Sequence, residues 1–261
     1  MKSYFITSTR SIPMFFEIFK KKPLLKDLIP NNFTDIHSHL LWGLDDGAKT
    51  ETEALSLITQ MNSLGIKNSI TTPHFISNIW ENSNDTIKNK EIELQSKVVS
   101  LKLNCNIKAA AEYLIDANFV AKMNKEPLLT LKEDYVLVEL SYSNPPINLK
   151  ECLYQMQLNG YRPIMAHPER YLYYANRISE FKHLKHIGCL FQLNLLSTTG
   201  YYGKEVLQLA DELLSNNLID FVGSDIHNQN HLDYFKNKVL IKKIAPLQEA
   251  IDRNSFFNFT L

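Results

Sequence analysis

The sequence predicts an α/β fold, a (β/α) barrel built as one domain. Three observations predict it. Strand-like and helical segments alternate along the 261 residues, the pattern that parallel strand pairing produces. His, Asp and Glu recur at the C-terminal ends of the strand-like segments, where a parallel barrel gathers its functional groups on one face. No Gly/Ser/Pro-rich linker and no internal repeat interrupts the chain.

The elements follow in order. Phe33 to His37 reads as a short first strand. Glu51 to Leu64 carries Leu55, Leu57, Ile58, Met61 and Leu64 near helical spacing, and Gly65 stops it. Lys67 to Thr72 is a second strand, ended by Pro73. Asp85 to Leu101 is a helix with a charged outer face, and Asn106 to Ala111 is a third strand followed by Glu112. Tyr135 to Leu140 is the fourth, and Asn144-Pro145-Pro146 marks a loop. Leu149 to Leu158 is helical, Arg162 to Ala166 a strand, Ile178 to His186 helical, and Cys189 to Asn194 a strand. Lys204 to Leu214 is helical, Leu218 to Gly223 is the seventh strand, and helix resumes from about Leu232. Residues 1–32 read as an N-terminal extension and 33–261 as the barrel. An open doubly wound sheet is the alternative, but no G-x-G-x-x-G turn follows any strand.

Composition narrows the function. Lys plus Arg and Asp plus Glu both number 28, for zero formal net charge, which leaves no electrostatic footprint for nucleic acid. A chain this long buries a core without a structural metal, so a bound metal would serve chemistry. Cys105, Cys152 and Cys189 are an odd number without tight spacing, which fits a reducing cytoplasm. None is followed by Arg six positions on, so the Cys-x5-Arg phosphate loop is absent. No apolar run reaches the length of a membrane span. Ser11 to Phe19 is apolar and aromatic, with Lys20, Lys21 and Lys22 after it, the wrong order for a secretory signal. It reads as an N-terminal helix packed on the domain, with a membrane-surface or partner-docking helix as the other reading.

The polar residues at strand ends form one set. His37 and His39 follow the first strand, with Asp45 and Asp46 in the next loop. His74 follows the second, Glu112 the third, Glu139 ends the fourth, His167 follows the fifth, and Asp225 and His227 follow the last. His37-x-His39 projects both imidazoles to one side of an extended chain, and Asp225-x-His227 repeats the geometry. His183, His186 and His231 need no special role. Counting one of the Asp45-Asp46 pair, nine candidate ligands are too many for one ion and suit two or three divalent Mn, Fe or Zn ions bridged by carboxylates. Such a cluster generates hydroxide near neutral pH and draws charge from a phosphoryl oxygen.

His37-Ser38-His39 with Gly43-Leu44-Asp45-Asp46-Gly47-Ala48-Lys49, Thr72-Pro73-His74, Ala111-Glu112-Tyr113, Val138-Glu139-Leu140, Ala166-His167-Pro168-Glu169-Arg170-Tyr171 and Gly223-Ser224-Asp225-Ile226-His227 resemble, in order, the motifs of PHP-family phosphoesterases. The match is to the branch of bacterial protein-tyrosine phosphatases encoded with capsule and exopolysaccharide genes. The resemblance runs from about Asp35 to the C-terminal region. It implies a distorted (β/α)7 barrel, a TIM-like barrel of the PHP type, and a trinuclear cluster described with manganese (magnesium is a further candidate beside iron and zinc). It implies a cytoplasmic enzyme acting on phosphotyrosine of a tyrosine autokinase that controls polysaccharide export. The implied ligands are His37, His39, Asp46, His74, Glu112, Glu139, His167, Asp225 and His227, with Asp45 shaping the loop. Arg170 matches the family arginine that holds phosphate; a surface salt bridge is its plainer reading. Trp42, Trp80 and Tyr113 are placed to line a tyrosine pocket or to pack loops.

One departure stands out. Family members commonly carry another arginine shortly after the closing Asp-x-His, and here the stretch is Asn228-Gln229-Asn230-His231-Leu232. His231 is the residue placed to replace part of that charge. Two other functions therefore stay open: a small-molecule phosphatase such as one for histidinol phosphate, and a phosphopeptide-binding regulator with slow turnover.

Overall fold

The computed structural model describes residues 21–260, so the predicted Ser11 to Phe19 helix lies outside the described residues. Residues 21–32 lie against the C-terminal region. A 3-10 turn at Leu25–Leu28 buries Leu25 fully, and Leu24 makes an antiparallel bridge with Lys238.

The elements that follow are β1 (Phe33–Asp35), α1 (Glu51–Ser63), β2 (Ile66–Thr71), β3 (His74–Phe75), α2 (Asn84–Ser100), β4 (Asn106–Ala109) and β5 (Glu112–Leu114). Next come α3 (Phe119–Met123), β6 (Tyr135–Glu139), α4 (Leu149–Leu158), β7 (Arg162–Ala166), α5 (Ile178–His186) and β8 (Leu190–Asn194). The chain closes with α6 (Lys204–Ser215), β9 (Phe221–Gly223), α7 (Gln229–Tyr234) and α8 (Ala245–Arg253). Thr50 and Ser83 cap α1 and α2 by accepting from the backbone N–H groups of Glu53 and Thr86.

The strands form two parallel sheets, ordered β1-β2-β4 and β3-β5-β6-β7-β8-β9. This differs from seven uninterrupted strands because the second and third predicted strands each divide. Pro73 has no N–H to give a ladder, so β2 stops and β3 resumes at His74. Its partner divides beside it: Ala110 N donates to Thr71 O at 2.9 Å and Glu112 N to Pro73 O at 3.1 Å. The predicted Asn106 to Ala111 strand therefore ends at Ala109, and Glu112 opens β5. The helix expected from Leu232 is two helices, with residues 235–244 between them. Pro246 sits in the first turn of α8, where a missing N–H costs nothing. Helix α3 carried too short an apolar pattern to be predicted.

A layer of fully buried side chains, Ile36, Ile70, Ala110, Leu137 and Ile164, takes one residue from each of five successive strand paths, with Phe257 packed among them. The larger apolar cluster joins the sheets to the helices. Strands β1 and β9 are not hydrogen-bonded as a ladder, and side chains stitch them instead. Asn254, fully buried, donates to Thr34 O and Val222 O and accepts from Val222 N. Buried Asp35 accepts from Ser224 N at 2.8 Å and from Ser224 Oγ at 2.5 Å. Beyond them Ser38 and Ile226 form a parallel bridge. No helix among the described residues is long and apolar enough to cross a membrane.

Asn254 thus satisfies three buried backbone groups. Asn254→Ala is expected to lower stability by about 3 kcal/mol or more, since each of the three orphaned buried groups costs about 1–3 kcal/mol. The urea midpoint should fall with little change in slope; an unchanged midpoint would mean the seam does not depend on this side chain.

Candidate metal centre

Short strands deliver the polar side chains to one end of the sheets. His37 and His39 follow β1, His74 opens β3, Glu112 opens β5, Glu139 ends β6, His167 follows β7, and Asp225 and His227 follow β9. The structure brings together all nine side chains named from the sequence. They fall into four overlapping groups: His39, Asp46, His74 and His227; His37, His167 and Asp225; His37, His39 and Glu112; His74, Glu112 and Glu139. Within each group one ligand atom per residue lies within 4.8 Å of the others.

Outer partners set the imidazoles. The Gln192 amide oxygen accepts from His37 Nδ1 at 2.8 Å, and Asp45 Oδ2 accepts from His39 Nδ1 at 2.7 Å. The Asp225 carbonyl accepts from His227 Nδ1 at 2.9 Å. An oxygen that only accepts fixes the proton on Nδ1 and turns Nε2 toward the centre. Asp45 also takes the N–H groups of Gly47 and His74, so it shapes the loop, while Asp46 lies near His227 Nε2 at 3.3 Å and His74 Nε2 at 3.5 Å. Gly47 is required here: a Cβ would sit 2.2 Å from the His39 carbonyl oxygen. Gly223 is required too, with His37 Cβ and Gln192 each 2.6 Å from any added Cβ. His167 and Asp225 hold left-handed backbone, φ +35° and +52°, a strain that non-glycine residues carry mainly where function demands it.

The donor set fits divalent ions. His74 Nδ1 lies 3.1 Å from Glu112 Oε2 and 3.0 Å from Glu139 Oε1, yet all three atoms are buried without a hydrogen-bond partner. His37 Nε2 and His39 Nε2 face each other at 3.2 Å. Such contacts repel when each nitrogen offers a lone pair and are satisfied by a cation between them. In the protein alone, protons take that part. Burial opposes charge on His37, but Glu112 and Asp225 outweigh it and push its pKa up to about 10. His74 is pushed up to about 12, Glu112 and Glu139 outweighing burial. Burial and the neighbouring Glu112 raise Glu139 to about 7. Glu112 and Asp225 move the other way: burial resists, and the imidazoles hold both well below the usual carboxylate range.

Above the cluster lies a cavity of about 420 Å³ lined by Asp46, His74, Trp80, Glu139, Tyr142, His167, Arg170, Tyr201, Tyr202, Asp225, His227, Asn228 and His231, with Ile76. Arg170 is the centrepiece. Its guanidinium carbon sits 4.6 Å from the Tyr142 ring centre and 4.4 Å from that of Tyr202, a cation–π sandwich. Its Nη1 donates to Asp225 Oδ2 at 3.1 Å. The 3-10 turn Pro168–Arg170 is anchored by fully buried Glu169, which accepts from Asn194 N and Ser197 Oγ. Trp80 folds back through its bridge to Ile76 and stacks on His74 at 4.8 Å.

Two of the residues proposed from the sequence as pocket lining stand elsewhere. Trp42 does not line the cavity; its ring lies 4.2 Å from Lys90 Nζ. Tyr113 is buried, stacks on Phe75, and its hydroxyl accepts from Leu129 N, because the side chain after Glu112 on β5 faces the opposite side of the strand. His231 does line the cavity. Tyr142, Tyr201 and Tyr202 were not singled out from the sequence; Tyr142 follows Glu139 by three residues, so the strand-end rule could have found it.

The comparisons agree with this geometry. The tyrosine-protein phosphatase YwqE of Bacillus subtilis is 28% identical over 207 residues, covering 79% of this chain and 82% of that protein. The tyrosine-protein phosphatase CpsB of Streptococcus pneumoniae is 26% identical over 200 residues, covering 74% of this chain and 82% of that protein. Crystal structures of those two, described as unique metal-dependent tyrosine phosphatases, include a chain that superposes with a TM-score of 0.72 at 26% identity, covering 86% of this chain and 88% of that one. Residues 33–234 match the family described as "Capsular polysaccharide synthesis, CpsB/CapC", and the chain belongs to that family.

Proposed function

We propose that this protein is a metal-dependent protein-tyrosine phosphatase whose strands trace a distorted (β/α)7 barrel. The observation that carries the reading is Arg170, held between two tyrosine rings at a cavity lined by Asp46, His74, Glu139, His167, Asp225 and His227, six of the nine clustered ligand-type side chains. His37, His39, Asp46, His74, Glu112, Glu139, His167, Asp225 and His227 would hold two or three divalent ions, with manganese the first choice. When bound, such ions supply the Lewis acidity that makes water nucleophilic at neutral pH and draws charge from phosphoryl oxygens.

The chain's own residues do the rest. The planar guanidinium of Arg170 matches two oxygens of a phosphate, and its fixed position spares reorganisation as charge builds on them. Asp225 holds one edge of the guanidinium, and Tyr142 and Tyr202 hold its faces. Trp80, Tyr142, Tyr201 and Tyr202 offer apolar walls to an aryl ring. A tyrosyl leaving group, with a pKa of about 10, needs little acid help, which suits a site where burial, and then the neighbouring His227, lower the pKa of His231. Among the described residues no cysteine lines the cavity, so the reading is direct attack by water without a phosphoenzyme. The physiological partner would be a cytoplasmic bacterial tyrosine autokinase of capsule or exopolysaccharide production.

Arg170→Ala is expected to cut kcat/KM on a tyrosine-phosphorylated peptide by about 10²–10³, the size of losing one transition-state donor, with metal content per chain unchanged. Phosphate release, assayed beside histidinol phosphate, checks this. Turnover of histidinol phosphate alone would reject the substrate class, and peptide binding without turnover would favour a regulator.

Metal uptake should release protons. His37 and His74 carry raised pKa values, so both are charged near pH 7 before ions bind and must give up roughly one proton each to become ligands. Affinity is therefore expected to rise with pH between about 6 and 8. Titration calorimetry in two buffers of different ionisation heat counts the protons; none released would contradict the ligand assignment.

A further inference from the structure

Two stretches, 20–26 and 236–243, hold eight lysines and no carboxylate, in a chain whose 28 basic and 28 acidic residues balance. The fold brings residues 21–26 and 236–243 together. Leu24 bridges Lys238, Leu25 N donates to Asn237 O at 2.9 Å, and Val239 N donates to Pro23 O at 3.0 Å. Lys22 Nζ caps the carbonyls of Ile241 and Lys242. The carboxylates that reach this face are Asp27 on Lys26, Asp233 on Lys236 and Asp211 on Lys242. Lys21, Lys238 and Lys243 have no carboxylate within 4.0 Å among the described residues, so the face keeps a net positive charge.

The face is not only basic. Leu240 is 52% exposed and Tyr234 36% exposed. Leu240 is held out by rigid backbone, its N–H bonded to Thr198 O at 2.7 Å. Residues 11–19, apolar and aromatic in sequence, lead directly into Lys20 to Lys22. Lysines mixed with protruding apolar tips match a lipid interface, where headgroups take the charge and the acyl boundary takes the apolar groups. A hydrated acidic polypeptide would use the lysines and leave the apolar tips unexplained.

We propose that the face formed by residues 21–26 and 236–243 docks on an anionic phospholipid bilayer. Tyr234 packs on Tyr201 at 4.5 Å, and Tyr201 lines the candidate catalytic cavity, so docking sets the cavity mouth beside the membrane surface. The proposal does not depend on which phosphoester the cavity takes.

The test is co-sedimentation of the full chain with phosphatidylcholine vesicles, with and without phosphatidylglycerol. Binding is expected to the anionic vesicles only and should weaken at about 0.5 M salt, where the screening length falls to a few ångströms. Lys238→Glu with Lys243→Glu should reduce binding about ten-fold or more, while metal-dependent turnover of free phosphotyrosine and binding by the Lys150→Glu control stay as in the parent. No vesicle binding, equal binding to neutral vesicles, or binding unmoved by the two reversals would each overturn the proposal. So would retention on polyglutamate without vesicle binding, which would assign the face to an acidic polypeptide.

Discussion

Buried charge at the strand ends is the constraint on which the rest of this structure depends. Five imidazoles and four carboxylates share one small volume, and most of them are excluded from water. Taking such groups out of water is costly unless opposite charges and hydrogen bonds compensate. Glu112 lies within 3.5 Å of four imidazoles and Asp225 within 3.4 Å of three, so the charges of the two sets are tied together. Cations or protons must complete the balance. Bringing these groups together goes with the left-handed backbone of His167 and Asp225 and with the glycines at 47 and 223, where a Cβ would strike His39 and His37.

The same balance reaches the phosphate side. Asp225 contributes Oδ1 to the cluster, near His37 and His39, and Oδ2 to Arg170 and Asn194. One carboxylate therefore joins the imidazole cluster to the arginine. Glu169 and Asn194 fix the turn from below, and the two tyrosines fix the guanidinium from its faces. A guanidinium held on three sides loses little freedom when a phosphate arrives, the condition for effective electrostatic stabilisation. Among the described residues no second arginine lines the cavity, so under the proposed function phosphate recognition would rest on this one clamp and the cluster.

Much of this was legible in the sequence because it is local and periodic. His37-x-His39 and Asp225-x-His227 announce themselves as alternating side chains, and the helices α4 and α5 and the strand β7 lie where their patterns placed them. Eight of the nine ligand-type residues were found because strand ends converge in a parallel fold, and the choice of Asp46 over Asp45 came from the family resemblance. What escaped depends on tertiary detail. Tyr113 follows the ligand-type Glu112 yet packs against Phe75 and Phe119, since alternation along β5 sends neighbours to opposite sides. Trp42 sits in the ligand loop but turns to Lys90. Tyr142 and Tyr202 became visible only when Arg170 was seen between them, an arrangement between residues 28 to 60 positions apart that no spacing encodes. The β1–β9 seam depends on Asn254, a residue with no motif around it.

The most direct test of the central claim is anomalous diffraction at the manganese edge from crystals grown with manganese. The account predicts two or three peaks inside the cluster, each within bonding reach of at least three of the nine side chains, with Glu112 reaching more than one peak. A single peak, or peaks bound outside the strand ends, would contradict it.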